Sequence, residues 1–129
     1  LVLALQLARW PDQVRRFGRD KPWLVEMTEG FSWYRVHSPP GARVAVNAHG
    51  RPLYLYGRRE SVGYRDPGEL LRLLDSPSPP DFIHVYGDGP EERAIKETVR
   101  GLLRDRPGRF TLCRTWKDYG TMVVRVGKP

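Results

Sequence analysis

The residues of this sequence that could carry chemistry are mainly cations and aromatics. Arg58 and Arg59 follow Gly57 at the end of a strand-like segment. Guanidinium groups on a short loop can each donate two parallel hydrogen bonds to a phosphate, so this pair predicts phosphate contact. Further along, Trp116 and Lys117 lie in a short connection, where an aromatic ring could stack on a base or enter a groove. Packing within the connection accounts for Trp116 equally well.

A second group of cations shares one side of a predicted helix. At about 100° per residue, the cationic side lies next to the apolar side. The cationic side could bind phosphates, or it could be a solvated surface held by pairs such as Arg93 with Glu97, and the sequence leaves both alternatives open. The apolar side consists of Ile95, Val99, Leu102 and Leu103, and the cationic side of Arg93, Lys96, Arg100 and Arg104.

Catalytic and metal-binding patterns are missing from the sequence. The three histidines, His37, His49 and His84, have no metal-ligand spacing. The one cysteine, Cys113, lies in a predicted strand, where we expect burial rather than a nucleophilic role. We therefore expect a protein that is not an enzyme and that uses no metal or cofactor. A metal-dependent nuclease is the least supported alternative, because such an enzyme needs clustered acids.

The composition describes a basic chain with enough apolar residues for a core. The 129 residues include 22 Lys and Arg and 15 Asp and Glu, for a formal net charge of +7. Hydrophobic residues make up 40% of the chain, which excludes wholesale disorder. The charge fits a nucleic-acid partner and an ordinary basic fold equally well, and the composition does not decide between them.

The apolar run at residues 1–5 is far too short to cross a membrane, and it lacks the basic leader of a signal peptide. We therefore expect an intracellular protein with no membrane partner. The sequence does not begin with Met, so an upstream targeting segment stays open.

The order of elements is clearest after residue 52. Strands are predicted at residues 53–56, 82–86, 109–115 and 121–126. Helices are predicted to begin at Pro67, capped by Asp66, and at Pro90, the second ending near Arg106. This β-α-β-α-β-β order predicts an α+β fold, in which right-handed crossovers pack both helices on one sheet.

The first part of the chain has a different pattern. It predicts a short helix at residues 11–17, two antiparallel strands at residues 23–27 and 31–37, and a half-buried strand at residues 43–48. We therefore divide the chain into an N-terminal helix and β-hairpin extension, residues 1–51, and a nucleic-acid-binding core, residues 52–129.

The segment at residues 57–64 resembles the loop of the Alba family of archaeal chromatin proteins. In that loop a glycine and two basic residues precede Pro-Val-Met-Asn-Tyr; Gly57, the pair Arg58-Arg59 and Tyr64 match, whereas residues 60–63 depart from the pattern. Arg93-Ala94-Ile95 is similar to the family's basic-Ala-Val step. Asp88 stands where the family has an arginine.

The resemblance covers residues 52–128. It implies an Alba-like two-layer core, a homodimer, and sequence-independent binding of DNA or RNA in a cytoplasmic, nucleoid-associated protein. Arg58 and Arg59 would then make the main phosphate contacts. The four cations of the second helix would be secondary contacts, with Trp116 and Lys117 as further candidates.

An alternative of a different class is a protein-interaction subunit of a ribonucleoprotein or viral assembly. In that interpretation the core is a scaffold, and a protein partner binds the aromatic N-terminal region. Large aromatic side chains are the anchors that protein interfaces favour. The candidates are Trp10, Trp23, Phe31, Trp33 and Tyr34.

Overall fold

The computed structural model describes residues 21–48, 50 and 53–129, and its elements agree with the predicted order from residue 67 onward. The helix predicted at residues 11–17 and the apolar run at residues 1–5 lie outside the described residues. Among the residues described, no helix is long and apolar enough to cross a membrane. The elements are α1 (Pro22–His37), β1 (Arg43–Val46), a π-helical turn (Leu53–Gly57), β2 (Glu60–Gly63), α2 (Pro67–Leu74), β3 (Phe82–Val85), α3 (Pro90–Asp105), β4 (Phe110–Thr115) and β5 (Met122–Val126).

The five strands form one mixed sheet in the order β2-β1-β3-β5-β4, and the fold is α+β. β1 pairs in parallel with both β2 and β3, whereas β5 is antiparallel to β3 and β4. We call the end of the sheet at which β1, β2 and β3 begin the basal end, and the opposite end the apical end. The β4–β5 connection lies at the apical end, because Thr115 pairs with Met122 and Met122 with Val85.

Alternation along the strands divides the core between the two faces of the sheet. α2 and α3 cover one face, where Leu70 and Val99 pack against Ile83. α1 and the π-helical turn cover the opposite face, where Phe31 packs against Val44. The helices α2 and α3 therefore share a face of the sheet, as predicted, and the N-terminal segment supplies the cover for the other face.

Several predicted elements are confirmed because local signals and packing agree. The Oδ1 atom of Asp66 accepts a hydrogen bond from the Glu69 amide at 2.8 Å, so Asp66 caps α2 as predicted. In α3, the predicted apolar residues Ile95 and Val99 are buried. β3, β4 and β5 lie within one residue of their predicted bounds.

The two antiparallel strands predicted at residues 23–27 and 31–37 are wrong, because residues 22–37 form the single helix α1. Its buried side carries Glu26, Gly30 and Tyr34 at four-residue spacing. Because the core side of α1 includes a polar residue and a glycine, the spacing of its apolar residues does not show the helical period. The N-terminal segment therefore contains no β-hairpin in its described part. Its strand β1 lies between β2 and β3.

The strand predicted at residues 53–56 is also wrong, because this segment forms the π-helical turn, and the first strand after it is β2. Gly57 ends the turn where the chain crosses α1. A Cβ atom at this position would collide with the Phe31 carbonyl oxygen. The predicted β-α-β-α-β-β order survives with β2 as its first strand. Arg58 and Arg59 therefore precede that strand instead of following it.

Buried polar contacts join α1 to the sheet. The Tyr34 hydroxyl and His84 Nδ1 form a hydrogen bond of 2.8 Å. Nearer the apical end, the carboxyl group of Glu26 accepts hydrogen bonds from Thr121 Oγ1 at 2.6 Å and from the Tyr119 amide at 3.1 Å. Burial lowers the pKa of His84 to about 3, so its ring is neutral in the folded protein.

We expect Gly57→Ala to lower the free energy of unfolding by about 1–3 kcal/mol, because α1 and the turn must move apart to admit a methyl group. Gly63→Ala is the matched control, since nothing lies within 4 Å of a Cβ atom built there. The control should leave stability unchanged or raise it slightly. Chemical denaturation of both variants measures the difference, and equal stabilities would contradict the close approach.

We expect stability to fall as the pH falls from about 6 to about 4, by up to about 1.4 kcal/mol per pH unit. In this range the unfolded chain binds a proton at residue 84 that the folded chain, with a pKa of about 3, does not bind. Urea denaturation at several pH values measures the slope. The double variant Tyr34→Phe/His84→Leu removes both polar partners and should lose this part of the slope. If the slope of stability against pH is unchanged in the variant, titratable groups other than His84 cause it.

Candidate nucleic-acid interface

The structure separates the two arginines that the sequence treats as a pair. Arg58 is exposed, and its backbone φ of 54° makes it the one non-glycine residue with positive φ in the described chain. Arg59 is buried, with 7% of its surface exposed. The left-handed backbone at Arg58 reverses the chain direction just before β2. One arginine therefore faces solvent and the next faces the end of α1.

Arg59 is held by hydrogen bonds to backbone and side-chain oxygens. Its guanidinium donates to the Ser38 carbonyl and to Ser38 Oγ, both at 2.8 Å, and to the Arg58 carbonyl at 2.9 Å. These contacts tie the C-terminal end of α1 to the start of β2. The predicted role of Arg59 as a main phosphate contact does not fit this geometry, because the residue is buried and four of its five N–H donors bind protein oxygens.

The predicted cationic side of α3 is also divided. Arg93, Arg100 and Arg104 are exposed, whereas Lys96 is buried. Lys96 Nζ donates to the Tyr119 carbonyl at 2.8 Å and so links α3 to the β4–β5 connection. Burial lowers the pKa of Lys96, and the nearby Asp88 carboxyl partly offsets this shift. Lys96 is therefore a structural contact in the described protein rather than a free cation.

Of the neighbouring residues Trp116 and Lys117, one is buried and the other is exposed. Trp116 is 9% exposed and packs in the core cluster beneath α1, while Lys117 is exposed at the apical end. The guanidinium of Arg114 lies over the Trp116 ring, 4.7 Å from its centroid. Arg58 lies at the basal end, so the structure does not bring Arg58 and Lys117 onto one surface.

Charge is distributed unequally between the two ends of the sheet. Acidic residues concentrate at the apical end, in the first turns of α2 and α3 and in the connections that precede them. Cations concentrate at the basal end, where the helices end and the parallel strands begin. The cations at the basal end are Arg35, Arg43, Arg58, Arg59, Arg72, Arg104, Arg106, Arg109, Arg125 and Lys128, and the acids there are Glu60, Asp75, Asp81 and Asp105.

Some basal cations are anchored and others are free to contact a ligand. Arg43 donates to the Ser78 carbonyl at 3.0 Å, and Arg109 donates to the Leu74 carbonyl at 3.1 Å. Arg72, Arg106, Arg125 and Lys128 are exposed. The basal end therefore presents guanidinium groups from α2, from the α3–β4 connection and from β5. We call this set, together with Arg58, the basal cations.

Sequence reasoning missed most of these residues because they are far apart along the chain. A usable signal was present in the predicted helices. Helices that follow parallel strands run in the same direction and end at the same edge of the sheet. Basic residues occupy the last turn of both predicted helices, Arg72 in α2 and Arg104 in α3, and Arg35 and His37 occupy the last turn of α1, which the sequence predicted as strands. Such placement complements the helix dipole.

The aromatic anchors proposed for a protein partner are mostly part of the core. Phe31 and Tyr34 are fully buried, and Trp33 is half-buried against Phe82. Trp23 is 44% exposed, and Trp10 lies outside the described residues. The expectation that Cys113 is buried is wrong, since it lies exposed in β4 where the pairing with β5 shifts by one residue. No group of three His, Cys, Asp or Glu side chains suited to a metal ion occurs in the described part of the chain.

Comparison of the chain with models of protein families gives no match. Comparisons with curated proteins and with solved structures also give none.

Proposed function

We propose that the protein binds nucleic acid without sequence preference, through phosphate contacts made by the basal cations, and that it catalyses no reaction. The observation that supports this function is the segregation of charge toward one end of the sheet. A polyanion is attracted to a surface with an excess of positive charge, and phosphate contacts supply most of the affinity in binding that ignores sequence.

The dimensions of the basal end fit several phosphates at once. Five strands at a spacing of about 4.8 Å span roughly 20 Å, and exposed arginines lie across that width from Arg58 beside β2 to Arg106 before β4. Arginine is suited to this role because its planar group can donate two hydrogen bonds to one phosphate. The resemblance to the Alba loop predicts the same activity, but of its basic pair only Arg58 is exposed.

The homodimer implied by the resemblance is proposed as well, and the edge strand β4 favours it. β4 pairs with β5 on one side only. Most of its side chains are exposed, including Leu112 at 45% and the thiol of Cys113. An unpaired edge with an exposed apolar side chain is a template for strand pairing. A second copy could pair there, with the two β4 strands antiparallel.

We expect Arg58→Ala/Arg106→Ala to weaken binding to DNA and RNA by at least about thirtyfold at low salt, because each lost arginine–phosphate contact is worth about 1–3 kcal/mol and two are lost. The plot of log K against log salt has a negative slope, and the magnitude of this slope should fall by about two units, one for each lost contact. Filter binding or fluorescence anisotropy at several salt concentrations measures both quantities.

The matched control is Arg93→Ala/Lys117→Ala, which removes the same charge from the exposed apical surface. It should lower affinity by less than about threefold through the loss of net charge alone. A control that weakens binding as much as the basal variant would contradict the basal site. Failure of the natural sequence to bind any nucleic acid at low salt would contradict the proposed function.

We expect Arg59→Ala to act mainly on stability, lowering the free energy of unfolding by at least about 2 kcal/mol, because the oxygens that it binds at Ser38 and Arg58 lose a charged donor. Thermal denaturation of Arg58→Ala and Arg59→Ala separates the two residues. Equal stability of both variants would show that the buried contacts of Arg59 contribute nothing to folding.

We expect the protein to sediment as a dimer at micromolar concentration, with Leu112→Lys shifting it to the monomer by placing a charge at the edge strand. Sedimentation equilibrium measures the mass. A monomer at high micromolar concentration would contradict the dimer.

A further inference from the structure

A groove separates α1 from the β4–β5 hairpin on the face of the sheet that α1 covers. A cavity of about 490 Å³ lies between α1 and the side chains of Arg114 and Trp116. A second cavity, of about 410 Å³, continues from His37 to Arg125 at the basal end. The two cavities share His37. The two cavities therefore lie side by side along α1, and we call the pair the α1 groove; its smaller cavity lies at the basal end.

Both walls of the α1 groove carry a flat polar group stacked on a tryptophan. On the helix wall, the His37 ring stacks on Trp33, with 4.8 Å between ring centroids and 24° between planes. On the sheet wall, the Arg114 guanidinium covers the Trp116 ring. His37 and Arg114 are exposed, and the tryptophans beneath them hold them in place. A further flat π-system can stack on the exposed side of the His37 ring or of the Arg114 guanidinium.

The charge of the groove favours an anionic chain. Arg35, Arg114 and Arg125 are exposed along it. The acidic residue of the larger cavity is Glu29, and that of the smaller cavity is Asp81, which accepts a hydrogen bond from the Arg43 amide at 2.9 Å. Cations therefore outnumber acids on the groove walls.

Two polar atoms of the wall residues are also unsatisfied. Ser32 Oγ and Trp116 Nε1 are buried and have no hydrogen-bond partner among the described residues. Buried polar atoms without partners are uncommon in folded proteins and call for a physical reason. Both residues line the larger cavity, so a small side-chain adjustment would offer a donor to a bound molecule.

We propose that the α1 groove binds single-stranded nucleic acid, with unpaired bases stacking against His37 and Arg114 and phosphates contacting Arg35 and Arg125. The proposal rests on the proposed function and extends it from phosphate contact to a preference for single strands. Bases of a duplex are turned inward and stacked, so they cannot enter a groove of this size. Unpaired bases can splay out and stack on aromatic and guanidinium planes.

The test compares labelled oligothymidylate with a duplex of equal length, by fluorescence anisotropy on the full chain. The groove variant His37→Ala/Arg114→Ala removes both exposed stacking groups without touching the buried tryptophans. It should weaken single-strand binding at least about tenfold and duplex binding less than about threefold. Arg114→Lys keeps the charge but not the flat group, and it should lose single-strand affinity severalfold. The basal variant Arg58→Ala/Arg106→Ala should weaken binding to both nucleic acids.

Each opposite result overturns the proposal. If the groove variant binds the single strand as well as the natural sequence does, or loses single-strand and duplex affinity equally, the groove does not recognise unpaired bases. Full affinity in Arg114→Lys would exclude stacking on the guanidinium. Displacement of the oligothymidylate by polyglutamate at equal charge concentration would make the groove a general polyanion site. These failures leave phosphate binding at the basal end intact, whereas failure of the natural sequence to bind either nucleic acid would remove both proposals.

Discussion

The position of β1 in the middle of the three parallel strands is the constraint on which the rest of the structure depends. This four-residue strand pairs in parallel with β2 on one side and β3 on the other. A strand in the middle of a parallel group is apolar on both faces, so both faces of the sheet must be covered. α2 and α3 cover one face, and α1 must then cover the other. The part of the N-terminal segment that carries α1 and β1 is for this reason part of the fold rather than an appendage to it.

Covering the second face with α1 determines the polar interior of the protein. The helix side that meets the sheet carries Glu26 and Tyr34, and these residues find partners in Thr121 and His84. Gly30 lies between them, where an added Cβ atom would stand 3.1 Å from the His84 ring. Asn47 makes a similar link between strands, since its amide binds both the N–H and the carbonyl of Tyr86. Directional contacts of this kind fix how α1 and the apical loops sit on the sheet.

The sequence predicts the part of the fold in which local signals and packing agree. Asp66 and Pro67 mark the start of α2, and the period of Ile95 and Val99 marks the buried side of α3. α1 was missed because its core side includes polar residues that are satisfied only by the distant residues Thr121 and His84. The signals that favoured a helix were Pro22 at its start and Arg35 in its last turn. The π-helical turn depends on the close contact of Gly57 with α1, which no local pattern contains.

The sequence predicted which kinds of side chain the candidate site would use, but not which individual residues. The excess of cations fits an anionic partner and an ordinary basic fold equally well, and exposed cations lie together at the basal end of the folded chain. Which arginines are free could not be read from residue types, because Arg58 and Arg59 are identical in kind. The backbone conformation of Arg58 directs one outward and one inward. The residues of the α1 groove come from α1, β4 and β5, and only the packing of α1 against the hairpin brings them together.

Helix dipoles account for only some of the cations at the basal end, and the others need a different explanation. Each helix end carries about half an elementary charge, negative at the C-terminus, so a cation in each last turn offsets it. Arg35, Arg72 and Arg104 satisfy that requirement at the basal end. Arg58, Arg106, Arg125 and Lys128 lie outside the helices, in connections, in β5 and after it. The cations at the basal end also outnumber the four acids there, and gathering like charges raises the electrostatic energy of the folded chain. A bound polyanion removes that repulsion, which makes the surplus at the basal end the strongest argument for a nucleic-acid partner.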